Sequence, residues 1–274
     1  KFLSHIREVD AIIHLVRCFE IENIQHVNNK VDPVEDFETI KTEILLADID
    51  TIQKKLEKSK KKNLNKLQIE ILLNSLNVLN KGNDLQSIDD SSKVFLNQIG
   101  LLSLKPKIIV CNVDENSVTN GNDHTKNIRN AYPNDKMIFI CADIEDQLSS
   151  LNKDEKSKFM SEIGLQKMGI SKLIKEGYDL LGLETFFTSG IEESRAWTVK
   201  KNTLAPDAAG VIHTDFKKNF IRAEAVDTED FIKFGSAEKC KENGRLRIEG
   251  KDYIVKDGDV LFFRVNPWPY SLHT

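Results

Sequence analysis

The chain has 274 residues, of which 30% are charged and 40% are hydrophobic, and its formal net charge is −4. This composition supports one large domain or two ordinary ones with a buried core, and it does not favour disorder. The negative charge excludes a surface that is basic all over, although a local basic patch for nucleic acid remains open. No apolar run approaches the roughly 20 residues that a membrane helix needs. Because no signal peptide is found either, we expect a cytoplasmic protein with no membrane partner.

The cysteines and the first residues carry two further expectations. Cys18, Cys111, Cys141 and Cys240 are scattered without a paired motif, and three of them lie in apolar runs. We therefore expect buried free thiols in a reducing compartment.

Residues 1–8 already have a helical pattern, and a strand at residues 11–16 follows at once. Since a domain seldom begins in this way, the chain is expected to be a piece of a longer protein.

Two long helices are predicted next, at residues 34–60 and at about 64–79. Asp32 is a good N-cap, and Pro33 suits the first helical position. Each helix has apolar residues along one face, so the two should pack as an antiparallel hairpin. The joint between them carries Lys60, Lys61 and Lys62. These lysines are either a solvated tip or a contact to the phosphates of nucleic acid, without base stacking, because no aromatic residues lie among them.

The motif that points most directly to chemistry follows a predicted strand at residues 107–111. A run of four apolar residues predicts a buried strand of a parallel sheet, and ligands bind at the carboxyl ends of such strands. The sequence that follows is Asn112-Val113-Asp114-Glu115. It has the form Asn-x-x-Glu, whereas the motif with which G proteins read guanine is Asn-Lys-x-Asp. Because a longer Glu fits guanine differently, we interpret the motif as a nucleotide-base site of altered specificity.

A second short strand is predicted at residues 137–141, and its carboxyl end should lie beside the first. Cys141, Ala142 and Asp143 therefore form a candidate second wall for a base. Helices are predicted at residues 87–102, 151–163 and 170–181, with a polar loop at 115–126. This alternation predicts an α/β half-domain of the doubly wound type with a helical insertion.

After residue 184 the pattern changes to short strands around few helices. Strands are predicted at residues 185–188, 196–199, 220–223, 245–248, 253–255 and 260–265, and helices at 205–212 and 230–242. The dipeptide Asp257-Gly258 predicts a hairpin turn. A mixed sheet of this size around one helix is typical of a β-grasp, ubiquitin-like module.

Several long motifs resemble those of the YchF / Obg-like ATPase family, and the match spans almost the whole chain. They are residues 2–11, 16–20, 30–33, 112–115, 187–190, 195–198, 208–216 and 250–260. The resemblance implies a P-loop NTPase that prefers ATP to GTP, is linked to translation and stress, and associates with ribosomes as a monomer. It implies that Asn112, Val113 and Glu115 read the base and that Cys141, Ala142 and Asp143 form the last nucleotide-contacting loop.

The resemblance also implies a domain organisation. Residues 1–33 and 104–183 would form a partial G domain, 34–103 an inserted helical hairpin, and 184–266 a TGS domain of the β-grasp type, followed by a tail at 267–274. His26 is a candidate for a catalytic or switch role, with a structural role as the alternative. DNA sequence recognition is not expected.

The sequence departs from the family at the phosphate site. ATP hydrolysis needs a Gly-x-x-x-x-Gly-Lys-Ser/Thr loop, and this chain has none. The stretch from Gly244 to Lys251 has five residues between its glycines, and Asp252 replaces the Ser or Thr. The Asp-x-x-Gly segment and the Mg²⁺ ligands are missing too. We expect these residues alone neither to hydrolyse ATP nor to hold it tightly.

Two functions therefore remain from the sequence. One is a translation-linked ATPase, and the other is a module that binds ribosomal RNA or protein through the basic hairpin tip and the C-terminal sheet. Among single residues, His14 and Trp197 are predicted to pack in the core. Asp48 and Asp50 on the long helix are predicted to be solvated.

Overall fold

A computed structural model describes residues 2–21, 30–59, 64–190 and 193–266. The chain divides into two compact units between Leu180 and Leu181, and each is described by itself. The predictions for His26, for Lys60, Lys61 and Lys62, and for the tail at 267–274 lie outside the described residues. Within the described residues, no helix is both long enough and apolar enough to cross a membrane.

The first unit is built on a parallel three-stranded sheet of order β1-β2-β3, as the sequence predicted. The strands are β1 (Ile12–Arg17), β2 (Lys107–Asn112) and β3 (Met137–Ile140). Arg17 pairs with Asn112, and Asn112 pairs with Ile140, so the three strands end at the same edge. The residues of β2 are almost all buried, which explains its continuous apolar run.

Some of the helices of this unit cover both faces of the sheet. The helices of the unit are α1 (Phe2–Glu8), α2 (Pro33–Ser59), α3 (Lys66–Asn80), α4 (Asp90–Asn97), α5 (Asp123–Ala131), α6 (Ala142–Ser150), α7 (Lys153–Glu162) and α8 (Gly169–Leu181). On one face Phe37 of α2, Ile128 of α5 and Ile144 of α6 share a core with Ile109 of β2. On the other face Leu173 of α8 packs against a core formed by Ile108, Val110 and Ile138.

Helices α2 and α3 pack against each other as predicted for the insertion. The Asp32 carboxylate accepts hydrogen bonds from the N–H groups of Val34 and Glu35, both at 3.2 Å, so it caps α2. Asn65 and Gln68 form a capping box at the start of α3. Leucines and isoleucines from both helices form one core, which includes Leu45, Ile52, Leu72 and Leu79.

The prediction of one helix over residues 87–102 is wrong. Only α4 is helical there, because Asp89 caps it at the start and Gly100, with a φ of +76°, ends the turn that follows. Helices are also present in the segment predicted as a loop at 115–126 and in the segment before residue 151, where no helix was predicted. A short 3₁₀ helix spans Glu115–Ser117, and α5 and α6 were missed because few apolar residues mark them.

The second unit is a mixed five-stranded sheet of order β5-β4-β8-β6-β7. Its strands are β4 (Leu183–Ser189), β5 (Ser194–Lys200), β6 (Phe220–Asp227), β7 (Arg247–Glu249) and β8 (Asp259–Val265). Its helices are α9 (Ala205–Ile212), α10 (Thr214–Lys218), α11 (Thr228–Phe234) and α12 (Ala237–Glu242). Alanines of α9 pack on Phe186 and Leu261 in the core, and Trp197 is half-buried against it.

Three sequence-based predictions fail in this unit. The helix predicted at 230–242 is broken at Gly235, whose φ is +80°. The strand predicted at 253–255 is a single bridge between Ile254 and Leu204. Asp257-Gly258 does not form a hairpin, because Gly258 donates to the Thr185 carbonyl at 2.8 Å and the Asp257 carboxylate accepts from the Thr185 N–H. These bonds direct β8 alongside β4 in a parallel pairing.

Candidate nucleotide-base site

The carboxyl edge of the parallel sheet brings the two predicted base loops side by side. The Asn112 carbonyl accepts a hydrogen bond from the Cys18 N–H at 2.7 Å, and the Val113 N–H donates to the Ile140 carbonyl at 2.8 Å. The chain therefore leaves β2 between the ends of β1 and β3. Residues after β2 and after β3 lie next to each other there, as the order of parallel strands predicted.

A side-chain hydrogen bond ties these two loops together. The Asn112 Oδ1 accepts from the main-chain N–H of Ala142 at 3.1 Å. Ala142 is the first residue of α6, so the bond also satisfies one free N–H of that helix. Within the described part of the chain, the Asn112 Nδ2 donates to no protein group. Its two hydrogens are therefore available to a ligand acceptor.

Glu115 lies exposed at the same edge, on a turn held by Asp114. The Asp114 carboxylate accepts from the N–H groups of Asn116 and Ser117 and from the Ser117 hydroxyl, at 2.8–3.1 Å. This fixes the backbone at the start of the 3₁₀ helix while leaving the Glu115 side chain free to point outward. The Glu115 Oε1 is 3.4 Å from the Nε2 of Gln147 on α6. Gln147 is a second contact between the two loops, and no motif of the sequence indicates it.

Val113 and Cys141 play a different part from that of Asn112 and Glu115. Both are only 2% exposed and belong to the core beneath the edge, so their side chains support the loops from below. Burial raises the pKa of the Cys141 thiol, and the charges of Asp143 and Glu115 raise it further. The thiol is therefore neutral. Asp143 is exposed in the first turn of α6.

All four cysteines are buried free thiols, as predicted. Cys18 and Cys111 hydrogen-bond to each other below the site, and this bond together with burial raises the pKa of the Cys18 thiol. His14 is half-buried and stacks on the core residue Phe37, with ring centroids 4.4 Å apart.

Asn122 is a supporting residue that sequence reasoning missed. Its Nδ2 donates to the Cys18 carbonyl at 2.7 Å, and its Oδ1 caps α5 through the Thr125 N–H. Gly121 precedes it with a φ of +71°, and an added Cβ there would lie 3.0 Å from the Phe139 ring. The sequence feature that indicates this role is Asn120-Gly121-Asn122 before α5, a turn followed by an N-cap.

Within the described ranges, no group of three or more His, Cys, Asp or Glu residues is placed to hold a metal ion. The predicted Asn112, Glu115 and Ala142 do come together. Asn112 offers an amide donor and Glu115 a carboxylate acceptor, beside the hydrophobic support of the core. A donor and an acceptor in this arrangement can hydrogen-bond to the edge of a purine base.

Comparison with known proteins gives one consistent set of relatives. The family model YchF-GTPase_C, described as "Protein of unknown function (DUF933)", matches residues 183–266. The ribosome-binding ATPase YchF of Bacillus subtilis is 44% identical over 97% of this chain and 76% of its own length. The protein of the same name from Escherichia coli O157:H7 is 42% identical with the same coverage. The structure of the Schizosaccharomyces pombe YchF GTPase matches 96% of this chain and 74% of its own, at 31% identity and a TM-score of 0.81.

Proposed function

Because this chain belongs to the YchF family, we propose that its first unit carries the base-reading part of a nucleotide site that prefers adenine to guanine. The observation that carries the proposal is the hydrogen bond between Asn112 and Ala142. It holds the two loops together and leaves the Asn112 amide nitrogen beside the exposed Glu115 carboxylate.

The two side chains would have different roles. Purine N7 is an acceptor in adenine and in guanine, so a donor such as the Asn112 Nδ2 binds both bases alike. Discrimination falls to Glu115, whose carboxylate can accept from the exocyclic amine of adenine. Guanine instead offers two neighbouring donors, a ring N–H and an amine, which suit the shorter Asp of the G-protein motif. The extra methylene of Glu115 displaces the carboxylate from that bidentate position.

Hydrolysis is a separate question from base reading. The relatives are named ATPases, and we propose ATP hydrolysis, with Mg²⁺ beside the phosphates, as the activity of a complete nucleotide site of this family. None of the described residues is assigned to the phosphates or to Mg²⁺. The expectation that these 274 residues alone neither hydrolyse ATP nor hold it tightly stays a prediction.

We further propose the ribosome as the partner, and the cytoplasm as the location, of a monomeric protein. The names of the bacterial relatives support a ribosomal partner. Two surfaces of this chain suit it. Lys55 and Lys58 are exposed near the end of α2, beside the predicted tip. The second unit, a mixed sheet around α9, fits the β-grasp form of a TGS domain. Contact through ribosomal RNA or through ribosomal protein is left to the experiment.

The base site is tested by NMR on this chain, since the method detects weak binding. Addition of ATP at about 1 mM is expected to shift the Ala142 main-chain signal and the Asn112 side-chain amide signal more than GTP does. In a Glu115→Asp variant the ratio of ATP to GTP affinity should fall by about fivefold or more. Glu162→Asp, on the exposed surface of α7, is the matched control. Equal responses to both nucleotides, or a ratio that Glu115→Asp leaves unaltered, contradict the proposed specificity.

A further inference from the structure

Strand β3 presents an open edge on the side away from β2. The Lys136 carbonyl accepts from the Ile109 N–H at 2.9 Å, and the Ile140 carbonyl accepts from the Val113 N–H at 2.8 Å. Because main-chain groups alternate in direction along a strand, those of Met137 and Phe139 point the other way. In the part of this unit that the structure describes, no strand lies on that side. The edge is thus a template for one more strand.

A groove of about 780 Å³ with a mixed apolar and polar lining includes residues 137–139 of this edge. Its lining includes Met137, Met160 and Met168, which are all three methionines of the chain, together with Phe139. Methionine side chains are flexible and polarisable, and they suit surfaces that accept varied apolar side chains. Phe139 is half-buried, with the Arg129 guanidinium 5.7 Å from its ring centroid, so its ring is already held in place.

The rim of the groove is basic. Lys167, Lys172 and Lys175 line it and are exposed. The acidic lining residue Glu176 is neutralised by Lys136 at 2.6 Å. None of the three rim lysines has an ion-pair partner among the described residues. The groove therefore combines an apolar floor, free main-chain groups and uncompensated positive charge.

We propose that this groove binds an extended segment of a protein partner, in which acidic and apolar residues alternate, as a strand added to β3. Strand addition takes its affinity from main-chain hydrogen bonds and its specificity from pockets for alternate side chains. Apolar side chains of the segment would enter the methionine-lined floor, and acidic ones would meet the rim lysines. A single-stranded RNA fits less well, because stacking platforms for bases need exposed aromatic rings, and the one ring of this lining, that of Phe139, is half-buried. None of the groove-lining residues is one of the residues assigned to the nucleotide-base site.

The test measures the fluorescence anisotropy of a labelled peptide of about eight alternating valine and glutamate residues, added to this chain. A second peptide of the same sequence carries N-methyl groups on the amides along one edge. N-methylation removes main-chain donors while leaving charge and side chains unchanged. The unmodified peptide should bind with a Kd below about 1 mM, and the N-methylated peptide should bind at least about tenfold more weakly.

Charge-reversal variants distinguish peptide binding in the groove from binding elsewhere on the surface. The double variant Lys172→Glu/Lys175→Glu should weaken peptide binding by about tenfold and reduce its salt dependence. Lys153→Glu/Lys158→Glu, on the exposed side of α7 and outside the groove lining, makes the same change in charge and should bind as the unaltered chain does. Three results overturn the proposal: no peptide binding at about 1 mM, equal binding of the N-methylated peptide, or RNA binding by the groove lysines without peptide binding.

Discussion

The Asp48 carboxylate accepts a hydrogen bond from the main-chain N–H of Ser103 at 2.7 Å, across 55 residues of sequence. Its other oxygen accepts from the Leu102 N–H at 2.8 Å, and the side chain is 0% exposed. The prediction that Asp48 is solvated is therefore wrong. The carboxylate instead fixes the segment that returns from the helical insertion to β2. Asp50, two residues later on α2, is exposed and pairs with Lys54 at 2.6 Å.

Removing the Asp48 carboxylate should destabilise the first unit. An Asp48→Ala variant leaves two buried N–H donors without an acceptor, and each such group costs about 1–3 kcal/mol. We expect the free energy of unfolding in urea to fall by about 3 kcal/mol. The matched control is Asp50→Ala, which should change it by less than about 0.5 kcal/mol because exposed i,i+4 pairs contribute little. Equal effects of the two substitutions would refute the role assigned to Asp48.

The contrast between Asp48 and Asp50 shows which features the sequence could predict. Periodicity identified α2 and α3 because their burial repeats at the helical spacing, and a continuous apolar run identified β2. It also placed Asn112 at a sheet edge, since an apolar run that stops at a polar residue marks a strand end. The burial of Asp48 has no local signal, because its partners are main-chain groups far along the chain. The hairpin predicted at Asp257-Gly258 is wrong for the same reason, because hydrogen bonds to Thr185, far away in the sequence, determine the geometry of the turn.

The hydrogen bond between Asn112 and Ala142 ties the two base loops together, and removing it should change the rate of amide hydrogen exchange. Replacing Asn112 by Ala removes the acceptor of the Ala142 N–H, so α6 loses one of its N-terminal hydrogen bonds. Hydrogen exchange at Ala142 should accelerate by about tenfold, whereas exchange in the interior of α6 should change little. Asn112→Asp keeps the acceptor oxygen and serves as the control, with slow exchange expected. Fast exchange at Ala142 in the unaltered chain would contradict the tie.

His14 predicts a pH dependence of stability. Burial, with the nearby positive charge of Lys107, lowers the pKa of His14 from its usual 6.5 to about 4. The folded state thus binds fewer protons than the unfolded state between these values. The contribution of His14 is fully present above about pH 6.5 and is lost as the pH falls toward 4, with a slope of at most about 1.4 kcal/mol per pH unit.

A His14→Phe variant should remove this pH-dependent contribution to stability while keeping the stacking on Phe37. Urea unfolding at pH 7 and pH 4.5 measures the free energy of unfolding of both proteins. The drop between the two pH values should be smaller in His14→Phe than in the unaltered chain, because carboxylates titrate equally in both. His213→Phe is the control, since that side chain is 60% exposed. An identical drop in His14→Phe would show that His14 does not titrate in this range.

The basic end of α2 yields the last prediction, which concerns the proposed ribosomal partner. Lys55 and Lys58 are exposed, and the predicted tip lysines Lys60, Lys61 and Lys62 follow them outside the described residues. If these lysines bind phosphates of ribosomal RNA, the removal of each one should lower the slope of log affinity against log salt by about one unit. The double variant Lys55→Glu/Lys58→Glu and the triple reversal at Lys60–Lys62 should both weaken co-sedimentation with ribosomes and flatten its salt dependence. Lys153→Glu/Lys158→Glu on α7 changes the net charge as much as the double variant does, and should co-sediment normally. If the variants near the tip co-sediment as the unaltered chain does at every salt concentration, the hairpin does not bind the ribosome and the second unit becomes the surface to test.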